Sequence, residues 1–111
     1  MTDKELLELA AKAAGMDRAG LFYDERMNVL WDGEQLWFEP LTDDGDALRL
    51  AVKLGMDVCV DSDDDGESST FVAFLVDGSH PKSVTEQHET DPYAATRRAI
   101  VRAAAEIGRS M

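Results

Sequence analysis

The stretch that decides the fold runs from Met56 to Val76 and reads MDVCVDSDDDGESSTFVAFLV. Its first six residues alternate, with Met56, Val58 and Val60 on one side and Asp57, Cys59 and Asp61 on the other. A period of two marks a strand with one face turned to a core. Thr70 to Val76 is apolar at nearly every position, which predicts a central strand covered on both faces. Ser62 to Glu67 is acidic, contains Gly66 and reads as the turn between them. The pair is an antiparallel hairpin, and the remaining chain must supply what covers it.

Downstream, Asp77 to Thr90 is polar, holds both histidines and is expected to be a mobile loop. Asp91-Pro92 then supplies an N-cap followed by proline at the first helical position. That helix is expected to run to about Ile107, with Gly108 after its end. Upstream, Thr42 or Asp43 caps a helix ending near Leu54, with Gly55 beyond it. The acids Asp43, Asp44 and Asp46 suit the positive end of its dipole. Ala47, Leu48, Leu50, Ala51, Val52 and Leu54 cover a wide apolar arc, with Arg49 and Lys53 opposite.

Residues 20 to 39 read as short strands. Leu21 to Tyr23 and Val29 to Trp31 are apolar, with Asp24 to Met27 as the turn between them. Asp32-Gly33 predicts a two-residue type I′ hairpin, Leu36 to Glu39 is the return strand, and Pro40 stops it. At the start, Thr2 and Glu5 form a capping box for a helix that Gly15 ends. Leu6, Leu7, Leu9, Ala10, Ala13 and Ala14 share one face of it. The expected order is α-β-β-α-β-β-α. This is a single α/β (α+β) domain over residues 1–111, an alpha-beta-alpha sandwich with a mixed or antiparallel sheet of about four strands.

A chain of 111 residues allows one domain and leaves no room for a large two-domain enzyme. Twenty-three acids against eleven bases give a net charge of -12 and a pI near 4.3. Direct binding to nucleic acid or an anionic membrane is disfavoured, because phosphate contacts need clustered cations. The longest apolar run, Phe71 to Val76, has six residues, against about 20 for a membrane span. The opening MTDKELLELAAKAAG is charged and amphipathic, unlike a signal peptide. A lone cysteine, Cys59, forms no internal disulfide, and its place in the alternation predicts a buried thiol on the second sheet face. These features predict a soluble protein of the cytoplasm with no cofactor.

Asp61 to Gly66 matches the first half of a calcium loop, but Val72 stands where the bidentate twelfth ligand belongs, so no metal is assigned. The same acids serve a second reading. Residues 24 to 67 hold fourteen acids and three bases, -11 of the total -12. Spread over one face, such carboxylates, among them Asp43, Asp44, Asp46, Asp61, Asp63, Asp64, Asp65 and Glu67, would imitate a phosphate backbone and occupy the groove of a nucleic-acid-binding host partner. The bland account is a solvated acidic face. On the last helix, Arg98, Arg102 and Arg109 lie within about 40° of one another. With Trp37 they would suit a small nucleotide-like anion, since forked guanidiniums hold phosphate in two bonds; the bland account is dipole neutralisation and surface pairing. Ser79, His80 and His88 carry no nucleophile-elbow or Walker pattern, so no catalytic residue is assigned. Trp31, Trp37 and Phe38 cluster near the Asp32-Gly33 turn, where exposed aromatics would favour a homodimer.

Two segments bear a family likeness. Phe38-Glu39-Pro40-Leu41-Thr42-Asp43-Asp44 with the helix through Met56 resembles the aromatic-x-Pro, acidic-cap, helix segment of the phage ABA (alpha-beta-alpha) sandwich domain family. Asp91 to Ala104 resembles that family's alanine-rich closing helix. The family's usual tryptophan is Phe38 in this chain, and the acidic 61–67 turn departs from its pattern. The resemblance implies a phage or prophage accessory protein acting inside a bacterium, and transfers no catalytic residue.

Overall fold

The computed structural model describes residues 1–16, 20–62 and 67–111. Its elements are α1 (Asp3–Ala13), β1 (Phe22–Asp24), β2 (Val29–Trp31), β3 (Trp37–Phe38), α2 (Asp44–Lys53), β4 (Asp57–Ser62), β5 (Ser68–Val76), β6 (His80–Gln87) and α3 (Pro92–Arg109). The alternation of helices and strand groups is the expected one: β3 falls within the expected return strand 36–39, and β6 is a strand in place of the expected loop. In place of one sheet of about four strands, the described residues form two antiparallel sheets of three, β1-β2-β3 and β4-β5-β6.

The caps fall where the side chains dictate. Thr2 Oγ1 accepts from the Glu5 amide, Asp43 Oδ2 from the Asp46 amide, and Asp91 Oδ1 from the Tyr93 and Ala94 amides. Each occupies donors that the first helical turn leaves open. Gly15 and Gly55 follow α1 and α2 at φ of 76° and 65°, the left-handed backbone that turns a chain out of a helix.

Three expectations are corrected. The turn after β2 is longer than two residues, because Trp31 pairs with Trp37 and the carboxylate of Asp32 accepts from the amides of Glu34, Gln35 and Leu36. Residues 80–87 form β6 rather than a mobile loop, pairing with β5 from Ser69↔Gln87 to Val76↔His80. Gly108 lies inside α3 rather than after it. A Cβ there would stand 2.0 Å from the Leu9 carbonyl oxygen, so the glycine is what lets α1 and α3 touch backbone to backbone.

The core gathers on α3, which packs against α1, α2, β5 and β6. Ala99, Ala103, Ala104 and Ala105 of α3 are buried in one cluster with Ala10, Ala11 and Ala14, and Leu7 and Val101 are wholly enclosed. Small residues allow such an approach, and its dense contact replaces bulk with proximity. Thr70, Val72, Phe74 and Val76 of β5 point into this core. The opposite face of β5 is open: Phe71 is 42% and Leu75 52% exposed. The strand is central, as its composition predicts, but helices cover only one side. Cys59, paired with Phe71 across the sheet, shares that open face and is exposed rather than buried.

Candidate partner-binding surface

The wide apolar arc of α2 is only half used. Ala47, Leu50 and Ala51 are buried, whereas Leu48 is 63% and Val52 72% exposed. The β4 residues Val58 and Val60 sit across from Val72 and Thr70, so they lie on the helical side of the sheet, yet remain 40% and 64% exposed. Between these elements runs a cavity of about 410 Å³ lined by Ala47, Leu48, Val58, Val60, Tyr93 and Ile100 among others. Its polar wall is Asp44 and Arg97, ion-paired at 2.6 Å. Arg97 also donates from Nε to the Leu41 carbonyl at 2.9 Å, which pins the approach to α2 against α3.

The acids of residues 24–67 divide by task. Asp24 accepts from the Arg26 and Met27 amides, and Asp32 from three amides of its turn. Those amides, Glu34 first, hold the Asp32 carboxyl below the usual carboxylate range. Asp43 and Asp46 pair with Arg49, and Asp46 also accepts from the Glu39 amide. Glu39, Asp43 and Asp46 bring carboxylate oxygens within 4.8 Å of one another. Burial, then repulsion from Asp46 and Asp43, pushes the Glu39 carboxyl up. Arg49 and the backbone amides already engage this cluster. Among the described residues, Glu25, Glu34, Asp57 and Asp61 form no ion pair. Asp61 is exposed at the end of β4, and exposed Glu67 borders β5. Asp63, Asp64 and Asp65, and with them most of the 61–66 half-loop, lie outside the described residues.

The arginine stripe is dispersed among partners. Arg98 binds Asp3 at 3.0 Å, Arg102 binds Glu86 at 2.8 Å and Arg109 reaches Glu106 at 3.6 Å. Arg98 and Arg102 share a cavity of about 350 Å³ with Glu86 and Glu106. Trp37 lines a different one with Arg49 and Lys53, and stacks on Trp31 at 4.7 Å. The structure therefore unites Arg98 with Arg102 but does not bring Arg109 or Trp37 to the same cavity.

The two histidines part company. His80 is exposed beside Ser79, whereas His88 is 7% exposed and held at both nitrogens. Thr96 Oγ1 donates to the Pro92 carbonyl at 2.8 Å, so it must accept from Thr70 Oγ1 at 2.7 Å. Thr70 then accepts from His88 Nε2 at 2.8 Å, and His88 Nδ1 shares a hydrogen bond of 2.8 Å with Ser68 Oγ. The two threonine hydroxyls each have one assigned direction, and the chain ties the start of α3 to β5. Sequence reasoning missed it because its members are 18 to 26 residues apart. The only local signal is a polar Thr70 at the core end of an apolar strand.

No family model, curated protein or solved structure matches the chain. Among the described residues, no helix is long and apolar enough to cross a membrane.

Proposed function

We propose that the chain is a small acidic phage or prophage accessory protein that works by binding, engaging a host protein through its 24–67 surface. The class its charge suits is a nucleic-acid-binding or defence protein with a basic face, met in the bacterial cytoplasm. The observation that carries this reading is the coincidence of apolar surface and unspent carboxylates. Leu48, Val52, Val58 and Val60 stand open on the segment that also bears the unpaired Asp57 and Asp61. Apolar contact supplies affinity, and carboxylates that stabilise nothing internally are free to steer a cationic partner. The phage origin and the alpha-beta-alpha sandwich belong to the same proposal, supported by the likeness of residues 38–56 and 91–104 to that family's segments. The nucleotide-binding alternative has less behind it, because a carboxylate already meets each guanidinium of the arginine stripe.

The test is capture of purified basic host proteins on immobilised chain across a salt series. Retention that falls steeply with ionic strength, and falls again in an Asp57→Asn/Asp61→Asn double variant, is the expected result. Retention indifferent to both would remove the acidic surface from the mechanism. A thermal-shift screen against nucleotides tests the alternative, with Arg98→Ala/Arg102→Ala as the variant that must lose any response.

A further inference from the structure

The second sheet has two edges, and they are built differently. On β6, Pro81 has no amide to offer, Lys82 pairs with Glu106, and Arg102 donates both to Glu86 and to the Thr85 carbonyl. An edge treated in this way cannot accept another strand along its length. β4 has none of these devices. It carries no proline, lysine or arginine, and among the described residues no side chain is bonded to the backbone of residues 57–60. Residues 57–61 are all exposed, and the row of Val58 and Val60 opens straight into the cavity beside Leu48 and Tyr93.

The geometry points to strand addition at this edge: β4 takes up an extended partner segment in which apolar residues alternate with lysine or arginine. The inference rests on the binding role proposed above and names the kind of segment bound. Main-chain hydrogen bonds to the free edge provide the register. Alternate apolar side chains of the incoming strand continue the Val58 and Val60 row into the cavity between β4 and α2. The intervening side chains fall on the other face, opposite Asp57, Cys59 and Asp61, where two unpaired carboxylates call for cations.

Charge also selects against a second copy as the occupant. Two β4 strands pairing antiparallel about Cys59 would set Asp57 of each against Asp61 of the other, and each chain carries -12. Like charges directly opposite destabilise a strand pair, whereas a basic strand turns the same two positions into attractions.

The experiment uses the intact chain and a labelled heptapeptide of alternating lysine and valine flanked by threonines, read by fluorescence anisotropy and amide hydrogen exchange. Binding should slow exchange within residues 57–61. A glutamate-for-lysine peptide should bind at least about tenfold more weakly, a loss of roughly 1.4 kcal/mol. Two further peptides, N-methylated on all valines or on all lysines, should behave oppositely. Successive amides of a strand point to opposite sides, so one peptide keeps its bonds to β4 and the other loses them. Val60→Lys, at an exposed position the fold does not need, should cut affinity about tenfold with the melting temperature unchanged. Leu48→Ser provides a second variant from the opposite wall.

Equal binding by both N-methylated peptides would overturn strand addition, as would protection confined to other elements. Val60-dependent doubling of mass in sedimentation would overturn it in favour of a second copy. If basic host proteins bind in the salt-sensitive manner and Val60→Lys does not disturb them, the edge inference falls and the broader binding role stands. If the alternating peptide binds with protection of β4 but without salt dependence, strand addition stands and the electrostatic reading falls.

Discussion

α1 and α2 are amphipathic helices of nearly equal length, 11 and 10 residues, and both rest on α3. One is sealed and the other is not. α1 meets α3 so closely that the Leu9 carbonyl leaves no room for a Cβ at Gly108, and Ala10 and Ala11 are buried. α2 is anchored by Ala47, Leu50, Ala51 and the Arg97–Asp44 pair, while Leu48 and Val52 remain uncovered. Similar amphipathic patterns thus lead to different fates. An apolar arc states that something will cover it, not that the same chain will.

The starts of the two helices repeat the contrast in charge. Burial would raise the carboxyl of Asp3, but hydrogen bonds from Asn28 and Arg98 outweigh it and hold the group below 3.8. Glu39, just ahead of α2, is raised above 4.5 by burial first and then by repulsion from Asp46 and Asp43.

The largest expected effect breaks the sealed side. Gly108→Ala forces α1 and α3 apart and should cost about 3 kcal/mol, with the melting temperature falling by more than about 10 °C. An unchanged melting temperature would refute the backbone-to-backbone crossing at Gly108 and Leu9. Next, Thr70→Val leaves the His88 Nε2 proton without an acceptor in the interior. It should cost about 2 kcal/mol in urea unfolding, whereas Ser79→Ala beside exposed His80 should cost almost nothing.

A smaller effect separates the two helix starts by pH. Asp3 has a lowered folded pKa, so its stabilisation is complete above 3.8 and lost as the pH falls through the folded value. Asp3→Asn should therefore lower the melting temperature at neutral pH and flatten its acid limb. Glu39 has a raised folded pKa, so its favourable share exists below 4.5 and is lost as the pH rises past the folded value. Glu39→Gln should raise the melting temperature slightly at neutral pH and leave it unchanged in acid. Scans at two pH values check both signs. The smallest effect sharpens the comparison most. Leu48→Ser/Val52→Ser should change stability by less than about 0.5 kcal/mol while weakening partner binding. A large loss of stability would show that α2 needs its outer arc for the fold itself.

Much of this architecture is legible in the chain because it is written locally. Thr2, Asp43 and Asp91 declare helix starts through contacts two or three residues away, and the alternation of Met56 to Asp61 declares a strand. What stayed hidden is what depends on distant partners. β6 reads as a loop because an edge strand needs few apolar residues, and only Val84 of its eight is buried. Gly108 reads as a stop signal because the carbonyl that requires it belongs to Leu9. Cys59 and Phe71 read as buried because alternation reveals a face without revealing whether a layer lies over it. At the candidate surface, the acidic excess of residues 24–67 is plain in the composition. Its division into turn-capping and unpaired carboxylates appears only when the amides of Asp32's turn and the guanidinium of Arg49 are in place.

The position of α3 has a consequence for synthesis. Every element it packs against, α1, α2, β5 and β6, precedes it in the chain. A ribosome therefore releases two small sheets and two short amphipathic helices before the piece that unites them emerges. Until Ile100, Val101 and the alanines around them arrive, Leu7 and Val72 have no enclosed interior to enter. Completion must then close loops of nearly the whole length, since Arg98 joins Asp3 across 95 residues. The nascent chain has to wait for α3, and through that wait its excess of negative charge opposes contact between neighbouring unfinished copies.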